Sequence, residues 1–187
     1  MTRRCVFLDR DGVINKDTGY VSKWEDFQFI PGVLDAIRKI YANGYDLVIV
    51  TNQSGIARGH YTIEEYDLLT NKMLAVIESN GVRVLAVYFC PHLPDGVVFQ
   101  FAMKCDCRKP APGMILRAAL EHDIDLEHSI MVGDKISDMD AATAAGVRRR
   151  YLVSEKYEDM GALPNQRYDG RYSSLADFVK EQPNSFA

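Results

Sequence analysis

Two aspartates one residue apart, Asp9 and Asp11, follow a short apolar run near the start of the chain. The run Cys5–Leu8 is typical of a buried strand, and Gly12 permits the chain to turn where the strand ends. Carboxylates at i and i+2 beyond a strand end can converge on one point. There they can hold Mg²⁺, a cation that takes oxygen ligands, or act as a nucleophile beside a general acid. Taken alone, so short a motif is more simply an acidic turn.

Three further segments also carry polar groups where an apolar run or a loop ends. They are Val48-Ile49-Val50-Thr51-Asn52, Arg108-Lys109-Pro110, and Ile130-Met131-Val132-Gly133-Asp134-Lys135 with Asp138 following at i+4. Their side chains supply a hydroxyl, an amide, two cations and further carboxylates. This combination favours a site for an anionic substrate and a metal ion over an ordinary turn.

In this order the four segments resemble the signature motifs of the haloacid dehalogenase (HAD) superfamily of phosphohydrolases. Longer segments resemble the zinc-containing D-glycero-D-manno-heptose-1,7-bisphosphate phosphatases, a subfamily related to histidinol phosphatases. These segments are Asp17-Thr18-Gly19-Tyr20-Val21, Thr51-Asn52-Gln53-Ser54-Gly55-Ile56-Ala57-Arg58-Gly59 and Cys105-Asp106-Cys107-Arg108-Lys109-Pro110. The resemblance covers about the first four-fifths of the chain. It implies a Rossmann-like, three-layer α/β sandwich with a mostly parallel sheet.

Length and composition predict one domain over residues 1–187, with a net charge of −4 and no long run of one sign. The basic cluster Arg148-Arg149-Arg150 follows a predicted helix end, so we interpret it as a solvated turn and expect no nucleic-acid partner. No apolar run is long enough to span a membrane, and no secretory signal follows Arg3 and Arg4. We therefore expect a cytoplasmic monomer without a membrane partner.

The apolar pattern alternates strands and helices along the chain. Strands are predicted at Cys5–Leu8, Asp46–Val50, Val84–Phe89, Ser129–Val132 and Arg149–Val153. Helices are predicted over about Val33–Asn43, from a capping box at Thr62 to Asn80, from Pro112 to about His122, over Ser137–Ala145, and from Ser174 through Lys180. The segment Tyr157–Tyr172 is predicted to be a loop. Continuous apolar strands between helices predict a parallel sheet covered on both faces, with a ligand site beyond the strands' carboxyl ends.

The spacing of the motifs leaves no room for a large cap domain. Between Asp11 and Thr51 there is space for a helix and a loop, and between Asn52 and Lys109 for a helix, a strand and one further loop. An open site of this kind suits a polar substrate that is recognised by local loops.

The loop at about 90–107 carries three thiols and an imidazole. Cys90 and His92 form one pair, and Cys105 and Cys107 form the other. Four such ligands suit a closed tetrahedral zinc site, although each pair is closer in sequence than the common two-residue spacing. The alternatives are free thiols beside a loop histidine, or a redox disulfide between Cys105 and Cys107. The resemblance favours zinc, which would order the loop that presents Arg108 and Lys109.

The resemblance also implies roles for individual residues. Asp9 is the expected nucleophile, Asp11 the acid and base, and Thr51, Arg108 and Lys109 the other catalytic groups. Magnesium ligands are expected from Asp9, the main-chain carbonyl of Asp11, and Asp134, while Asp138 is expected to orient Lys135 or the metal's waters. The expected substrate-binding residues are Arg10, Asp17, Thr18, Gly19, Tyr20, Thr51, Asn52, Gln53, Ser54, Arg108, Lys109 and Lys135.

The implied activity is magnesium-dependent hydrolysis of the 7-phosphate of a small sugar bisphosphate, through an aspartyl-phosphate intermediate. The reaction would serve the synthesis of activated heptose for surface polysaccharide such as lipopolysaccharide. Histidinol-phosphate phosphatase is the alternative within the same chemistry, since related sequences share the motifs. A zinc-stabilised interaction module that has lost catalysis is the alternative from another class. The intact acidic and basic residues of the four motifs argue against this last alternative.

Overall fold

The computed structural model describes residues 2–154 and 167–182. The strands are β1 Cys5–Leu8, β2 Asp46–Asn52, β3 Ala86–Cys90, β4 Ile130–Gly133, β5 Arg149–Val153 and β6 Gly170–Tyr172. The helices are α1 Val33–Ala42, α2 Ile63–Ser79, α3 Gly113–His122, α4 Ile136–Ala145 and α5 Leu175–Glu181, with short 3₁₀ turns at Trp24–Asp26 and Phe99–Phe101. The predicted alternation of strands and helices is confirmed.

The six strands form one sheet in the order β3-β2-β1-β4-β5-β6, and every neighbouring pair is parallel. From β1 the chain adds β2 and β3 on one side and then β4, β5 and β6 on the other. The strand order therefore reverses at β1. In open parallel sheets ligands bind beyond the carboxyl ends of the strands at this point of reversal. The ends of β1, β2 and β4 are consequently the expected place of the site.

Helices cover both faces of the sheet, because successive side chains of each strand point to opposite faces. On β1, Val6 and Leu8 pack with the cluster that contains α1, α2 and α5, whereas Cys5 and Phe7 pack with α3 and α4. The result is three layers, helix on sheet on helix, with every residue of β1 buried. The predicted three-layer α/β sandwich is confirmed, and within the described ranges no cap domain interrupts it.

Local sequence signals account for several element ends. The predicted capping box at the start of α2 is present, with Glu65 N–H donating to the Thr62 hydroxyl and Thr62 N–H donating to the Glu65 carboxylate. The prediction of loop for Tyr157–Tyr172 is wrong at its end. Residues 170–172 form β6, because they pair with β5 and because Tyr172 packs against Tyr151 and Phe178. Residues 157–166 of that segment lie outside the described residues.

No helix in the described part of the chain combines the length and the apolar character that crossing a membrane requires.

Candidate active site

Asp9 lies directly beyond β1, and its carboxylate is 5% exposed. The main-chain N–H groups of Asp9 and Arg10 fix it in place, the first donating to the Val132 carbonyl at 3.1 Å and the second to Asp9 Oδ1 at 2.8 Å. Burial raises the pKa of Asp9, and the nearby Lys109 ammonium opposes that rise. The carboxylate is thus held at the reversal point of the sheet by groups on β4 and on its own turn.

Among the described residues, Lys109 carries the only cationic group within ion-pair distance of Asp9. Its Nζ lies 3.0 Å from Asp9 Oδ1 and 2.7 Å from Asp138 Oδ1, and it donates to the Val50 carbonyl at 2.7 Å. The side chain is buried, which strengthens these charge interactions. The carboxyl ends of β1 and β2 and the start of α4 therefore meet at this one ammonium group.

Asn52, at the end of β2, fixes the backbone of Lys109. Its amide nitrogen donates to the Lys109 carbonyl at 3.0 Å, and its amide oxygen accepts from the Lys109 N–H at 3.1 Å. The sequence predicted that Asn52 binds substrate through its main-chain N–H, and its side chain has this separate role toward Lys109. This reciprocal pair spans 57 positions of sequence and leaves no local signal.

Three carboxylates converge next to Lys109. Oxygen atoms of Asp9, Asp134 and Asp138 lie within 4.8 Å of one another. Burial, with a smaller contribution from the charge of Asp9, raises the pKa of Asp134 to about 8. Asp134 Oδ1 is buried and has no hydrogen-bond partner within the described ranges. A buried carboxylate oxygen without a hydrogen-bond partner, on a residue that lies beside two other carboxylates, fits a divalent cation, which takes oxygen ligands and offsets the repulsion.

Asp138 plays a part that sequence reasoning described incompletely. Its Oδ2 accepts from the Lys135 N–H at 2.9 Å at the start of α4, as an orienting residue would. Its Oδ1 also pairs with Lys109, and its side chain belongs to the carboxylate cluster. The i+4 spacing after Asp134 was visible in the sequence, but the contact with Lys109 was not.

Asp11 is not part of the carboxylate cluster, although it lines the same cavity as Asp9. It accepts two hydrogen bonds from the Arg10 Nη2 at 3.0 and 3.1 Å and one from Arg10 Nε at 3.2 Å, and Asn15 and Gln53 donate at 3.0 and 2.9 Å. These donors hold the Asp11 side chain in one orientation. Arg10, predicted to bind substrate, is only 1% exposed and lies behind Asp11, where it also donates to the Val21 carbonyl.

The site opens into a cavity of about 340 Å³ at the carboxyl ends of β1, β2 and β4. The predicted residues that line it are Asp9, Asp11, Asp17, Gly19, Tyr20, Thr51, Asn52, Gln53, Ser54, Lys109 and Lys135. Thr18 and Asp134 line an adjoining cavity of about 300 Å³, which shares Asp17. Arg108 lines neither, and its guanidinium donates to the His92 carbonyl at 3.4 Å. The structure thus brings most of the predicted residues together and leaves Arg10 and Arg108 at the periphery.

The loop 17–20 is tied to the site by Lys135. The Lys135 Nζ lies 3.2 Å from Asp17 Oδ2 and 3.4 Å from Asp134 Oδ2, while Asp17 Oδ1 accepts from the Gly19 N–H at 3.1 Å. At the end of the loop the Tyr20 ring packs against His60, with centroids 4.4 Å apart. Nothing in the sequence around His60 indicates that Tyr20 is near.

The cysteine loop forms a second cluster of ligand atoms. The three Sγ atoms of Cys90, Cys105 and Cys107 lie 3.2–3.5 Å apart, and His92 Nδ1 is 3.4 Å from Cys107 Sγ and 3.7 Å from Cys90 Sγ. No disulfide joins them. Ligands at about 2.3 Å from a tetrahedral zinc would be about 3.8 Å apart, so the set has the size and chemistry of a zinc site.

Comparison with known proteins places this geometry in a family. The family model described as polynucleotide kinase 3 phosphatase matches residues 6–159. The chain is 53% identical over 175 residues to the D-glycero-beta-D-manno-heptose-1,7-bisphosphate 7-phosphatase of Yersinia pestis, covering 94% of this chain and 93% of that protein. It is 46% identical over 150 residues to the D-glycero-alpha-D-manno-heptose-1,7-bisphosphate 7-phosphatase of Photorhabdus laumondii, covering 80% of this chain and 82% of the relative.

A solved structure agrees with these relatives. The D,D-heptose 1,7-bisphosphate phosphatase from B. bronchiseptica, which was crystallised with magnesium and phosphate, superposes with a TM-score of 0.82. Its sequence is 33% identical, and the alignment covers 97% of this chain and 98% of that one. The chain therefore belongs to this phosphatase family of the haloacid dehalogenase superfamily, together with the heptose-bisphosphate 7-phosphatases that it matches over most of its length.

Proposed function

We propose that this protein is a magnesium-dependent phosphatase that removes the 7-phosphate of D-glycero-D-manno-heptose 1,7-bisphosphate. The observation that carries the proposal is the Asp9–Lys109 pair, which lies at the reversal point of the sheet and borders a cavity that no cap domain covers within the described residues. A carboxylate beside a fixed ammonium is the arrangement that attack on a phosphoryl group requires. The relatives named for this reaction support the choice of substrate.

In the proposed first step an oxygen of Asp9 attacks phosphorus, forming an acyl-phosphate bond as the bond to the sugar oxygen breaks. Asp11 gives its proton to that departing oxygen. In the second step the Asp11 carboxylate takes a proton from water, and the resulting hydroxide displaces Asp9 and releases phosphate. The donors from Arg10, Asn15 and Gln53 hold the Asp11 side chain in place for both proton transfers.

Positioned charge supports both steps. The Lys109 ammonium and the Thr51 hydroxyl border the cavity and would bind phosphoryl oxygens, where they offset charge that develops in the transition state. We assign the magnesium site to Asp9 and Asp134, with the main-chain carbonyl of Asp11, on the basis of the carboxylate cluster and the orphaned Asp134 oxygen. When bound, magnesium would supply positive charge to the substrate phosphate and to the carboxylates around it.

We assign zinc to Cys90, His92, Cys105 and Cys107. Its role would be structural, because four protein ligands leave no open position. Cys107 precedes Arg108 and Lys109 directly, so a fixed Cys107 limits where both cations can lie. We further propose that the enzyme works in the cytoplasm as a monomer, where reduced thiols remain available to the metal.

We also propose that the β anomer is the preferred substrate. The Yersinia pestis relative named for the β anomer is 53% identical, against 46% for the Photorhabdus laumondii relative named for the α anomer. The experiment compares kcat/KM for both anomers, for histidinol phosphate and for p-nitrophenyl phosphate in the presence of Mg²⁺. We expect a higher kcat/KM for the β anomer than for the α anomer. We expect kcat/KM for the β anomer to exceed that for histidinol phosphate by at least about a hundredfold, because histidinol phosphate would lose several hydrogen bonds that substrate hydroxyls make.

The outcomes separate the alternatives. Comparable kcat/KM values for heptose bisphosphate and histidinol phosphate would favour histidinol-phosphate phosphatase as the function. No release of phosphate from any substrate would support an interaction module.

Arg108→Ala should reduce the preference for the bisphosphate more than it reduces activity on p-nitrophenyl phosphate, since Arg108 lies at the periphery of the site and suits a distal phosphate. Arg117→Ala is the matched control, because Arg117 pairs with Glu121 on the exposed side of α3.

A further inference from the structure

The side-chain amide of Gln53 is fully occupied inside the protein. A primary amide offers two N–H donors and one oxygen with two acceptor positions. Gln53 Nε2 donates to Asp11 Oδ2 at 2.9 Å and to Thr51 Oγ1 at 2.8 Å. Gln53 Oε1 accepts from the Tyr61 hydroxyl at 2.5 Å and from Arg10 Nη2 at 3.2 Å. Gln53 is 2% exposed, so its amide has no remaining capacity for a substrate hydroxyl, although it borders the cavity.

The chemistry of the neighbours fixes which end of this amide faces which group. The Arg10 guanidinium only donates hydrogen bonds, so only the oxygen of the Gln53 amide can accept from it. Nitrogen must therefore face Asp11 and oxygen must face Arg10. Because Thr51 Oγ1 accepts a hydrogen from Gln53, the hydrogen of the Thr51 hydroxyl points elsewhere. Thr51 borders the cavity, so that hydrogen is free to bind a phosphoryl oxygen.

Tyr61 donates to the oxygen of the Gln53 amide, and its own ring is closely packed. It is buried, and its ring lies against Gly55, where a side-chain methyl group would collide with ring carbon atoms. Burial raises the pKa of Tyr61, so its hydroxyl keeps its proton and acts as a donor. Tyr61 lies in the segment that leads into α2, whereas Asp11 and Thr51 follow β1 and β2. The Tyr61 hydroxyl thus connects the start of a helix with two groups at the carboxyl edge of the sheet.

We propose that Tyr61 is a positioning residue that acts through Gln53 to hold Asp11 and Thr51 in their working orientations. The inference rests on the proposed phosphatase mechanism and assigns Gln53 a role inside the protein rather than in contact with the sugar. Without the Tyr61 hydroxyl, Gln53 loses its shortest hydrogen bond and can swing into the cavity. Proton transfer by Asp11 then slows and the Thr51 hydroxyl is held less firmly, while Lys109 and the loop 17–20 keep their own contacts.

The experiment uses the full-length protein with Mg²⁺ and compares Tyr61→Phe, Gln53→Met and the double variant. Methionine keeps the approximate length of glutamine and removes both polar ends of the amide. We expect Tyr61→Phe to lower kcat on heptose bisphosphate about tenfold, or about 1.4 kcal/mol, with KM changed less than about twofold. The loss on p-nitrophenyl phosphate should be smaller, because a good leaving group needs less protonation.

A double-mutant cycle distinguishes this role from a purely structural one. If Tyr61 acts through Gln53, the double variant should be no slower than Gln53→Met alone. Tyr45→Phe is the matched control: Tyr45 is buried, its hydroxyl accepts from Arg149 at 2.8 Å, and it precedes β2 at the opposite edge of the sheet. The Tyr45→Phe variant should lose some thermal stability and keep the wild-type kcat.

Multiplicative losses in the double variant, or a wild-type kcat for Tyr61→Phe, would overturn the inference and leave the proposed function standing. Equal losses of kcat in Tyr61→Phe on heptose bisphosphate and on p-nitrophenyl phosphate would also count against the inference, because they would show no dependence on proton transfer by Asp11. If the wild-type protein released no phosphate from either substrate, the proposed function and this inference would fall together.

Discussion

Replacing Lys109 with methionine tests the charge balance on which the site depends. The Lys109 ammonium lies within 3.0 Å of Asp9 and 2.7 Å of Asp138, and it donates to the Val50 carbonyl at 2.7 Å. Methionine keeps most of the apolar stem and removes only the charged end. Asp9 and Asp138 would then remain buried near Asp134 without the cation that offsets their repulsion.

The size of the effect follows from burial. Removing one partner of a buried ion pair costs about 3–5 kcal/mol, because the remaining charge is uncompensated. Asp9, whose pKa burial already raises, can take up a proton and relieve part of that cost, so we expect about 3 kcal/mol from the lower end of this range. At about 2–4 °C per kcal/mol for a chain of this size, the melting temperature should fall by about 6–12 °C. Loss of a preorganised charge at the phosphoryl group should lower kcat by about 10²–10³.

Thermal unfolding with and without Mg²⁺ and phosphate release under saturating substrate measure both effects. Mg²⁺ should raise the melting temperature of the Lys109→Met protein more than that of the wild type, because the bound cation replaces part of the missing charge. Lys72→Met, on the exposed side of α2, is the control and should change neither quantity. A Lys109→Met protein that unfolds at the wild-type temperature and retains kcat within twofold would refute the argument.

Three further predictions concern the metals and the acid. Cys105→Ser should lower the zinc content from one equivalent per chain, measured by elemental analysis after dialysis, and lower the melting temperature; unchanged values would exclude the site as assigned. Gly12→Ala should raise the Mg²⁺ concentration for half-maximal activity about tenfold, because a methyl group there would collide with the Asp134 carboxylate; an unchanged Mg²⁺ titration would contradict this placement. Asp11→Asn should retain single-turnover phosphorylation of Asp9 by an activated aryl phosphate, while equal losses for good and poor leaving groups would contradict the acid role.

The convergence of the motifs was predictable because it depends on short-range patterns. Buried runs such as Cys5–Leu8 specify parallel strands, and a polar residue directly after each run reaches the carboxyl edge of the sheet. Asp9, Thr51 and Asp134 could therefore be placed together without any contact information. The grouping of the four cysteine-loop ligands could also be anticipated from their residue types, which left free thiols and a disulfide open, and the choice of zinc came from the family resemblance.

The internal network of the site was not predictable from local pattern. Arg10 stands between two aspartates and was expected to face the substrate, yet its guanidinium is folded inward onto Asp11 and Gln53. Nothing in the sequence around Gln53 indicates that Tyr61 donates to it, because that contact depends on how the start of α2 packs. The strand β6 was missed for a related reason: three residues carry too little pattern, and pairing with β5 supplies the order.

The contacts around Lys109 explain how the proposed catalytic lysine can be held on a loop, with no cap domain in the described part of the chain. A lysine side chain has about 2 kcal/mol of rotamer entropy to lose, so one attachment would leave its charge mobile. Asn52 fixes the Lys109 backbone from β2, Asp138 and the Val50 carbonyl fix its ammonium, and Cys107 lies two residues away in the cysteine cluster. The sheet alone constrains one side of the loop. Zinc at the cysteine cluster would constrain the other side, which is why the loss of either anchor should reach the same ammonium group.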